Sequence, residues 1–159
     1  MKTNAARYLD SLQISYELRD YALDTEDFSA IIVAEKVGLP PEQVFKTLLC
    51  VTSDKEHVFA VVPGNAELDF KKLAHAAGAR KAEMVSLKDI QPLTGYIRGG
   101  VTVFGAKKNF PVYVDETVEL FDIVSVSAGI KGTQIVLSPA DYIRAAEATV
   151  ANLTKGGTL

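Results

Sequence analysis

Two apolar runs separated by a short polar segment constrain the fold of this chain more than any other feature. Val44–Thr52 and His57–Val62 have the length and composition of strands, and Ser53–Glu56 between them has the length of a hairpin turn. Further strand patterns occur at Ile14–Tyr21, Ala82–Val85, Val101–Phe104, Val112–Asp115, Ile123–Ser127 and Thr133–Leu137. Connections this short favour a mainly antiparallel or mixed sheet, because parallel neighbours need longer crossovers.

Helical patterns lie at the start, middle and end of the sequence. Ser138 followed by Pro139 is a specific helix start, and the apolar spacing after it predicts a helix to about Leu153. The other predicted helices lie at Ala5–Leu12, before Gly38, from Asp69 to Ala77, and after Ser86, where Asp89 suggests a capping box. The pattern predicts one α+β domain over residues 1–153, followed by a flexible tail at 154–159.

Charge and cysteine content restrict the partners and the compartment. The net charge is −3 and the pI is about 5.4, so any RNA contact must come from a local group of Lys and Arg residues and should be salt-sensitive. The single cysteine, Cys50, excludes an internal disulfide and is typical of a cytoplasmic protein. Lys2, Thr3 and Asn4 are not followed by an apolar stretch, so we expect no signal peptide. We expect neither DNA nor a membrane as a partner.

Lys46 is the most informative single residue. It stands in an otherwise apolar strand and shares a face with Leu48 and Cys50. An ammonium group on an apolar surface is costly unless it meets an anion or water. Lys46 is therefore either a cleft residue that binds a phosphate or carboxylate, or a lysine at the start of a strand whose side chain reaches solvent.

Two glycine-containing segments are candidates for backbone recognition of a ligand. Gly95–Gly105 holds the pair Gly99-Gly100, whose amides could converge on an anion or an ester carbonyl. Ser127–Gly132 could place a hydroxyl, amide donors and Lys131 at a sheet edge. Each segment can equally be a plain turn with solvated lysines.

Other reactive residues give weaker signals. Cys50 is predicted to be a buried thiol rather than a nucleophile. His57 and His75 have no Cys or His neighbour at metal-ligand spacing, so we expect no metal site. The acidic pair Asp115 and Glu116 is predicted to lie in solvent.

Taken together, these segments resemble the YbaK/EbsC family, free-standing relatives of the editing domain of bacterial prolyl-tRNA synthetase. The similarity extends from the first helix to the last. The matching segments are Val44–Leu49, Leu68–Leu73, Lys81–Met84, Thr94–Tyr96, Gly99-Gly100, Gly105–Lys108 and Ser127–Gly132. The resemblance implies an α+β domain with a curved, barrel-like mixed sheet flanked by helices. It also implies hydrolysis of the ester that joins a wrong amino acid to tRNA, without a metal or organic cofactor.

The resemblance also implies roles for individual residues. Lys46 would hold the terminal phosphate or ribose of the tRNA, and the amides of Gly99 and Gly100 would bind the substrate carbonyl. The implied substrate-binding residues are Tyr21, Phe28, Thr47, Thr102, Ser127, Ala128 and Gly129. The implied tRNA-binding residues are Arg98, Lys107, Lys108 and Lys131. In the cysteine-specific branch the substrate thiol attacks its own ester, so the enzyme needs no nucleophile.

Three positions depart from the family pattern and leave the substrate open. In the glycine loop Val103 replaces a proline, although Thr102 keeps a hydroxyl there. Ala128 replaces a glycine, and Gln134 stands where some relatives have an acidic residue. The expected substrate is cysteine on proline tRNA, with prolyl-tRNA synthetase as a transient partner. Alanine or another small amino acid, or tRNA binding without catalysis, are the alternatives. The sequence leaves the oligomeric state open.

Overall fold

The computed structural model describes residues 2–24, 26 and 29–156. Its helices are α1 (Asn4–Ser11), α2 (Ala30–Val37), α3 (Phe70–Ala77), α4 (Leu87–Thr94) and α5 (Pro139–Ala146). Its strands are β1 (Glu17–Asp20), β2 (Phe45–Thr52), β3 (His57–Pro63), β4 (Ala82–Met84), β5 (Val112–Asp115), β6 (Val124–Ser127), β7 (Thr133–Leu137) and β8 (Thr149–Ala151). Two short 3₁₀ helices, Pro41–Gln43 and Glu116–Leu120, precede β2 and follow β5. The predicted α+β class is confirmed.

The strands form two sheets. The smaller sheet has the order β1-β7-β6 and is antiparallel throughout, whereas the larger has the order β4-β2-β3-β5-β8. In the larger sheet the pairs β3–β5 and β5–β8 are parallel, so it is mixed as expected. One parallel bridge between Val44 and Ser125 connects the sheets. Within the described residues they form no closed barrel.

The predicted hairpin organises the centre of the larger sheet. β2 and β3 pair from Phe45↔Pro63 to Val51↔His57, and their side chains face two separate apolar clusters. Phe45 and Leu49 face the main core, which lies between the sheets with Phe59, Phe104 and Ile135. Residues of the opposite parity face α3; these include Leu48, Cys50, Val58 and Val62. The alternation therefore places Lys46 on the face that α3 partly covers.

The end of the last helix differs from the prediction. Ser138 caps α5 as expected, since its hydroxyl accepts from the Asp141 N–H at 3.2 Å. The helix stops at Ala146, because Glu147 adopts the left-handed conformation with φ 50°. The chain then forms β8 beside β5. Pairing with β5, which is distant in sequence, replaces the helical continuation to Leu153.

Two further predictions were wrong for the same kind of reason. The segment 101–104 is a loop rather than a strand, and its Thr102 and Phe104 are buried. Asp115 is 1% exposed rather than solvated, because it accepts hydrogen bonds from the Leu153 N–H at 2.8 Å and the Thr117 hydroxyl at 2.7 Å. Both segments are buried by parts of the chain that the local sequence does not reveal.

The predicted flexible tail is held in place at its first residues. Thr154 is buried and forms a bridge with Leu68, and the Lys155 N–H donates to the Glu67 carbonyl at 2.9 Å. Residues 157–159 lie outside the described residues. Among the helices that the structure describes, none is long and apolar enough to cross a membrane.

Helix caps follow the sequence in one case and depart from it in another. Asp69 caps α3 by accepting from the Lys71 and Lys72 N–H groups, as predicted. Ser86 stands at the N-cap of α4, but its side chain forms no capping hydrogen bond. The position of α4 therefore depends on packing and on its C-terminal end at Gly95.

Candidate active site

A cavity of about 880 Å³ opens where the two sheets diverge. Its floor is Val44 with residues 45–49 of β2, and its sides come from α2, the β4–α4 segment and the loop 98–101. The smaller sheet contributes Ser127, Lys131 and Gln134. The cavity is thus assembled from chain segments that are far apart in sequence.

Lys46 is a half-buried cation in this wall. The Lys46 ammonium group has no hydrogen bond or ion pair with any described residue. Burial lowers the pKa of Lys46 from its ordinary value, and the negative charge of Glu67 partly opposes this shift. An ammonium group in this position is available to an anion entering the cavity.

Gly99 presents a backbone amide to the same cavity. Its φ of 90° lies in the left-handed region, which favours glycine. Its N–H has no acceptor among the described residues. The Gly100 N–H, by contrast, donates to the Ile97 carbonyl at 2.9 Å, and Gly100 is buried outside the cavity lining. Of the expected amide pair, the structure leaves the Gly99 donor open and engages the Gly100 donor in a turn.

The two glycine-containing loops pack directly against each other. A Cβ on Gly100 would lie 3.2 Å from the Ile130 Cα, and a Cβ on Gly99 would lie 2.9 Å from the Lys131 Cε. A Cβ on Gly129 would lie 2.9 Å from the Tyr96 ring. Glycine at these positions therefore allows one loop to support the other, which fixes this side of the cavity.

Comparison with known proteins identifies the family. Residues 28–145 match the family described as the aminoacyl-tRNA editing domain. The chain is 42% identical to EbsC of Enterococcus faecalis, named as a candidate Cys-tRNA(Pro)/Cys-tRNA(Cys) deacylase, over 96% of this chain and 93% of that protein. The chain belongs to the aminoacyl-tRNA editing family. The resemblance seen in the sequence is thereby confirmed.

Two more distant similarities agree with this membership of the editing family. The chain is 27% identical to the Ser/Thr-tRNA deacylase ProXp-y of Escherichia coli K12, over 77% of this chain and 76% of that protein. A crystal structure of a candidate trans-editing enzyme for prolyl-tRNA synthetase superposes with a TM-score of 0.84. It covers 98% of this chain and 99% of that chain at 23% identity, so it supports the fold.

Several of the expected site residues of this editing domain lie together in the cavity. Those in its wall are Lys46, Thr47, Arg98, Gly99, Ser127 and Lys131. The Ser127 hydroxyl accepts from the Gly129 N–H at 3.1 Å, which holds the start of the second glycine loop. Arg98 is exposed at the cavity wall, where it adds positive charge.

Other expected residues lie elsewhere. Thr102 and Ala128 are fully buried, and neither contributes to the cavity lining. Tyr21 packs on the cluster of Val33, Ala34, Val37 and Val44 beside α2. Gly129 contacts Tyr96, and Lys107 and Lys108 are exposed outside this cavity. Phe28 lies outside the described residues.

Sequence reasoning gave Tyr96 no role and named Gln134 only as a departure from the family pattern, and both residues shape the editing-domain cavity. Tyr96 anchors both glycine loops, because its buried hydroxyl donates to the Phe104 carbonyl at 2.6 Å while its ring contacts Gly129. Gln134 is 5% exposed and lines the cavity, and its Oε1 accepts from the Ser125 hydroxyl at 2.7 Å. The position of Tyr96 between glycines was an available signal for its role. No signal in the sequence indicated the hydrogen bond between Ser125 of β6 and Gln134 of β7.

The cavity of this editing-family chain offers binding groups rather than a prepared nucleophile. Cys50 faces the apolar cluster beneath α3, outside the cavity lining, and burial raises its pKa to about 12. Among the described residues there is no group of His, Cys, Asp and Glu that could hold a metal ion. The described groups are suited to orienting an ester and stabilising negative charge.

Proposed function

We propose that this chain releases a wrongly attached amino acid from tRNA, with cysteine on proline tRNA as its substrate. One observation carries the proposal: an ammonium group and a glycine amide, both without a partner among the described residues, share the wall of one cavity. Similarity to EbsC along nearly the whole chain supports the choice of cysteine. The cavity, about 880 Å³, is large enough for an amino acid together with the terminal nucleoside.

Lys46 is proposed to bind the phosphate or ribose at the acceptor end. A partly desolvated ammonium group attracts a phosphate more strongly than one in water, since the surrounding dielectric screens the charges less. Burial at Lys46 therefore favours anion binding at this point of the wall. Arg98 and Lys131 line the same cavity and are proposed to contact the tRNA backbone, and exposed Lys107 and Lys108 are proposed to extend this basic surface.

The Gly99 amide is proposed to stabilise the charge that develops on the ester oxygen. A fixed backbone donor requires no reorganisation when the tetrahedral intermediate forms, so it stabilises the transition state more than the ground state. The Gly99 N–H meets this requirement, since it points to no acceptor among the described residues. The Gly100 amide is proposed to act indirectly, by fixing the turn from Ile97.

For a cysteinyl substrate the proposed nucleophile is the thiol of the substrate itself. The sulfur forms a bond to the carbonyl carbon, the bond from that carbon to the ribose oxygen breaks, and the thiol proton ends on the ribose hydroxyl. The product is free tRNA and a thiolactone, which water then opens to cysteine. The protein contributes orientation and charge stabilisation in this scheme.

The test measures deacylation of a panel of charged tRNAs: cysteinyl-, alanyl-, seryl- and threonyl-tRNA, with and without prolyl-tRNA synthetase. Cysteinyl-tRNA(Pro) is expected to be the best substrate. Activation by the synthetase would support the proposed transient partnership, and tRNA binding without turnover on any substrate would overturn the catalytic proposal. Contacts through lysine and arginine should weaken as the salt concentration rises.

Lys46→Met provides the matched test of the site. The variant keeps an unbranched side chain of similar length and loses the charge, so the fold is expected to persist. Deacylation should fall by about a hundredfold or more if this charge positions the substrate. Lys71→Met on α3 is the control, since Lys71 is exposed and outside the cavity lining. Full activity of Lys46→Met would exclude the proposed role of Lys46.

A further inference from the structure

A second cavity, of about 290 Å³, lies apart from the candidate active site. Among the residues that the structure describes, none lines both cavities. Its walls come from α1, β3, the loop 103–110, the start of β5 and the end of α5. This volume is at the lower end of the range for small-molecule sites, so it suits a single ligand of about the size of an amino acid.

The inner part of this second cavity is apolar. Phe59 of β3 and Val112 of β5 are paired neighbours in the larger sheet, and both are buried. The Phe110 ring lies beside Phe59 with 5.9 Å between the ring centroids. Tyr8 holds the end of α5 in place, since its hydroxyl donates to the Ala145 carbonyl at 3.2 Å. These residues provide a fixed aromatic and aliphatic surface for an apolar side chain.

Two oppositely charged side chains, Lys108 and Glu147, line the second cavity without pairing. In the described part of the chain neither charged group forms a hydrogen bond or an ion pair, with the other or with any further residue. Lys108 belongs to the loop and Glu147 follows α5, so two separate segments bring the charges to one cavity. A ligand that carries both charges can meet each of them, which a ligand with a single charge cannot.

The backbone at Glu147 is strained where it meets the cavity. Its φ of 50° lies in the left-handed region, and a residue in this position after a helix is usually glycine. Gln13 and Lys55, the other non-glycine residues with positive φ in the described part of the chain, line neither cavity. Such strain is frequent at binding sites. The negative end of the α5 dipole and the Glu147 carboxylate together favour a cation here.

The loop supplies hydrogen-bond donors that suit an anion. The N–H groups of Lys108 and Asn109 lie outside any helix or strand, and neither has an acceptor among the described residues. The side-chain amide of Asn109 likewise has no partner there. Two successive backbone amides beside an ammonium group are a favourable environment for a carboxylate.

We propose that the second cavity binds a free α-amino acid with an apolar side chain. The carboxylate lies at Lys108 and Asn109, the ammonium group lies at Glu147 and the end of α5, and the side chain packs on Phe59 and Val112. This inference goes beyond the proposed function, since the cavity is separate from the one assigned to the charged tRNA. Lys108 is shared with the proposed basic surface, so the test measures binding of the amino acid rather than deacylation.

The test is a titration of the ¹⁵N-labelled protein with L-phenylalanine, followed by amide chemical shifts. Phenylpropionate, which lacks the ammonium group, and phenethylamine, which lacks the carboxylate, are the matched ligands. The amide signals of Lys108, Asn109 and Glu147 should shift with L-phenylalanine, and each analogue should bind about threefold more weakly or worse. Shifts that spare this cavity, or an analogue that binds as well as L-phenylalanine, would overturn the site.

Two variants assign the charged ends of the ligand. Glu147→Gln should weaken binding of L-phenylalanine about threefold and remove the preference over phenylpropionate, whereas Lys108→Met should do the same for the preference over phenethylamine. Lys107→Met and Glu116→Gln are the controls, since both residues are exposed and outside the cavity lining. Amide spectra of the variants without ligand confirm that they are folded. Unchanged preferences in folded Glu147→Gln and Lys108→Met proteins would refute the assigned ends.

Discussion

Replacement of Thr102 by valine tests the assignment of the cavity wall most directly. Thr102 is 0% exposed, and its buried Oγ1 has no hydrogen-bond partner in the part of the chain that the structure describes. The family resemblance predicted a substrate-binding role for this hydroxyl, but the structure places it outside the cavity lining. Valine has nearly the same shape and lacks the polar atom. Thr102→Val should therefore leave deacylation unchanged and stabilise the fold.

The expected gain in stability follows because the Thr102 hydroxyl lacks a hydrogen-bond partner among the described residues. A buried hydroxyl without a hydrogen bond costs about 1–3 kcal/mol, and an isosteric methyl group recovers part of that, about 1 kcal/mol. For a chain of this size, 1 kcal/mol corresponds to a rise of about 2–4 °C in Tm. Thr94→Val is the matched control with the opposite sign. The Thr94 hydroxyl donates to the Ile90 carbonyl at 2.7 Å and accepts from the Tyr96 N–H at 3.0 Å.

Thermal unfolding by circular dichroism measures both variants, and the deacylation assay is run on the same preparations. Thr94→Val should lower Tm by several degrees, since about 1–3 kcal/mol is lost with the two hydrogen bonds. A Thr102→Val variant that is less stable than the parent would show that the hydroxyl has a partner in solution. A folded Thr102→Val variant with reduced activity would return Thr102 to the substrate site.

Two more predictions concern packing and thiol chemistry. Gly64→Ala should destabilise the fold by about 1–3 kcal/mol in chemical denaturation, because its Cβ would lie 2.5 Å from the Ala30 Cβ and 2.8 Å from the Val44 carbonyl. Gly156→Ala, at a φ of 63° and with no atom of the described residues within 4 Å of its Cβ, is the control for backbone strain without a packing clash. Cys50 should resist iodoacetamide at pH 8 in the native state and react when unfolded, since burial raises its pKa to about 12. The same shift predicts that stability falls above about pH 9, where the thiol of the unfolded chain ionises first, and Cys50→Ala should remove that part of the loss. Rapid labelling of the folded protein would contradict the assigned burial.

Local chemistry predicted the parts of the fold whose causes are local. The β2–β3 hairpin, the Asp69 cap and the Ser138 cap follow from residues that are neighbours in sequence. The end of α5 does not, because Thr149 and Leu153 fit a helical spacing equally well. The turn at Glu147 and the pairing of β8 with β5 decide that segment, and both depend on the distant strand.

In the candidate site, too, features with a local cause could be predicted from the sequence, and features that depend on distant packing could not. Lys46 stood out because a charge in an apolar strand is unusual in any sequence. The structure places Thr102 outside the cavity lining, and the sequence could not indicate this because the direction of a side chain in an irregular loop depends on the packing around it.

The contact between the glycine loops has an evolutionary consequence. Gly99, Gly100 and Gly129 each lie where an added methyl group would approach the other loop to 2.9–3.2 Å, which is closer than ordinary van der Waals contact. A side chain at Gly100 or Gly129 therefore requires an accommodating change in the other loop, whereas at Gly99 the flexible end of Lys131 can move aside. We expect homologues that have acquired a new amino-acid preference through this wall to carry correlated substitutions in both loops rather than isolated ones.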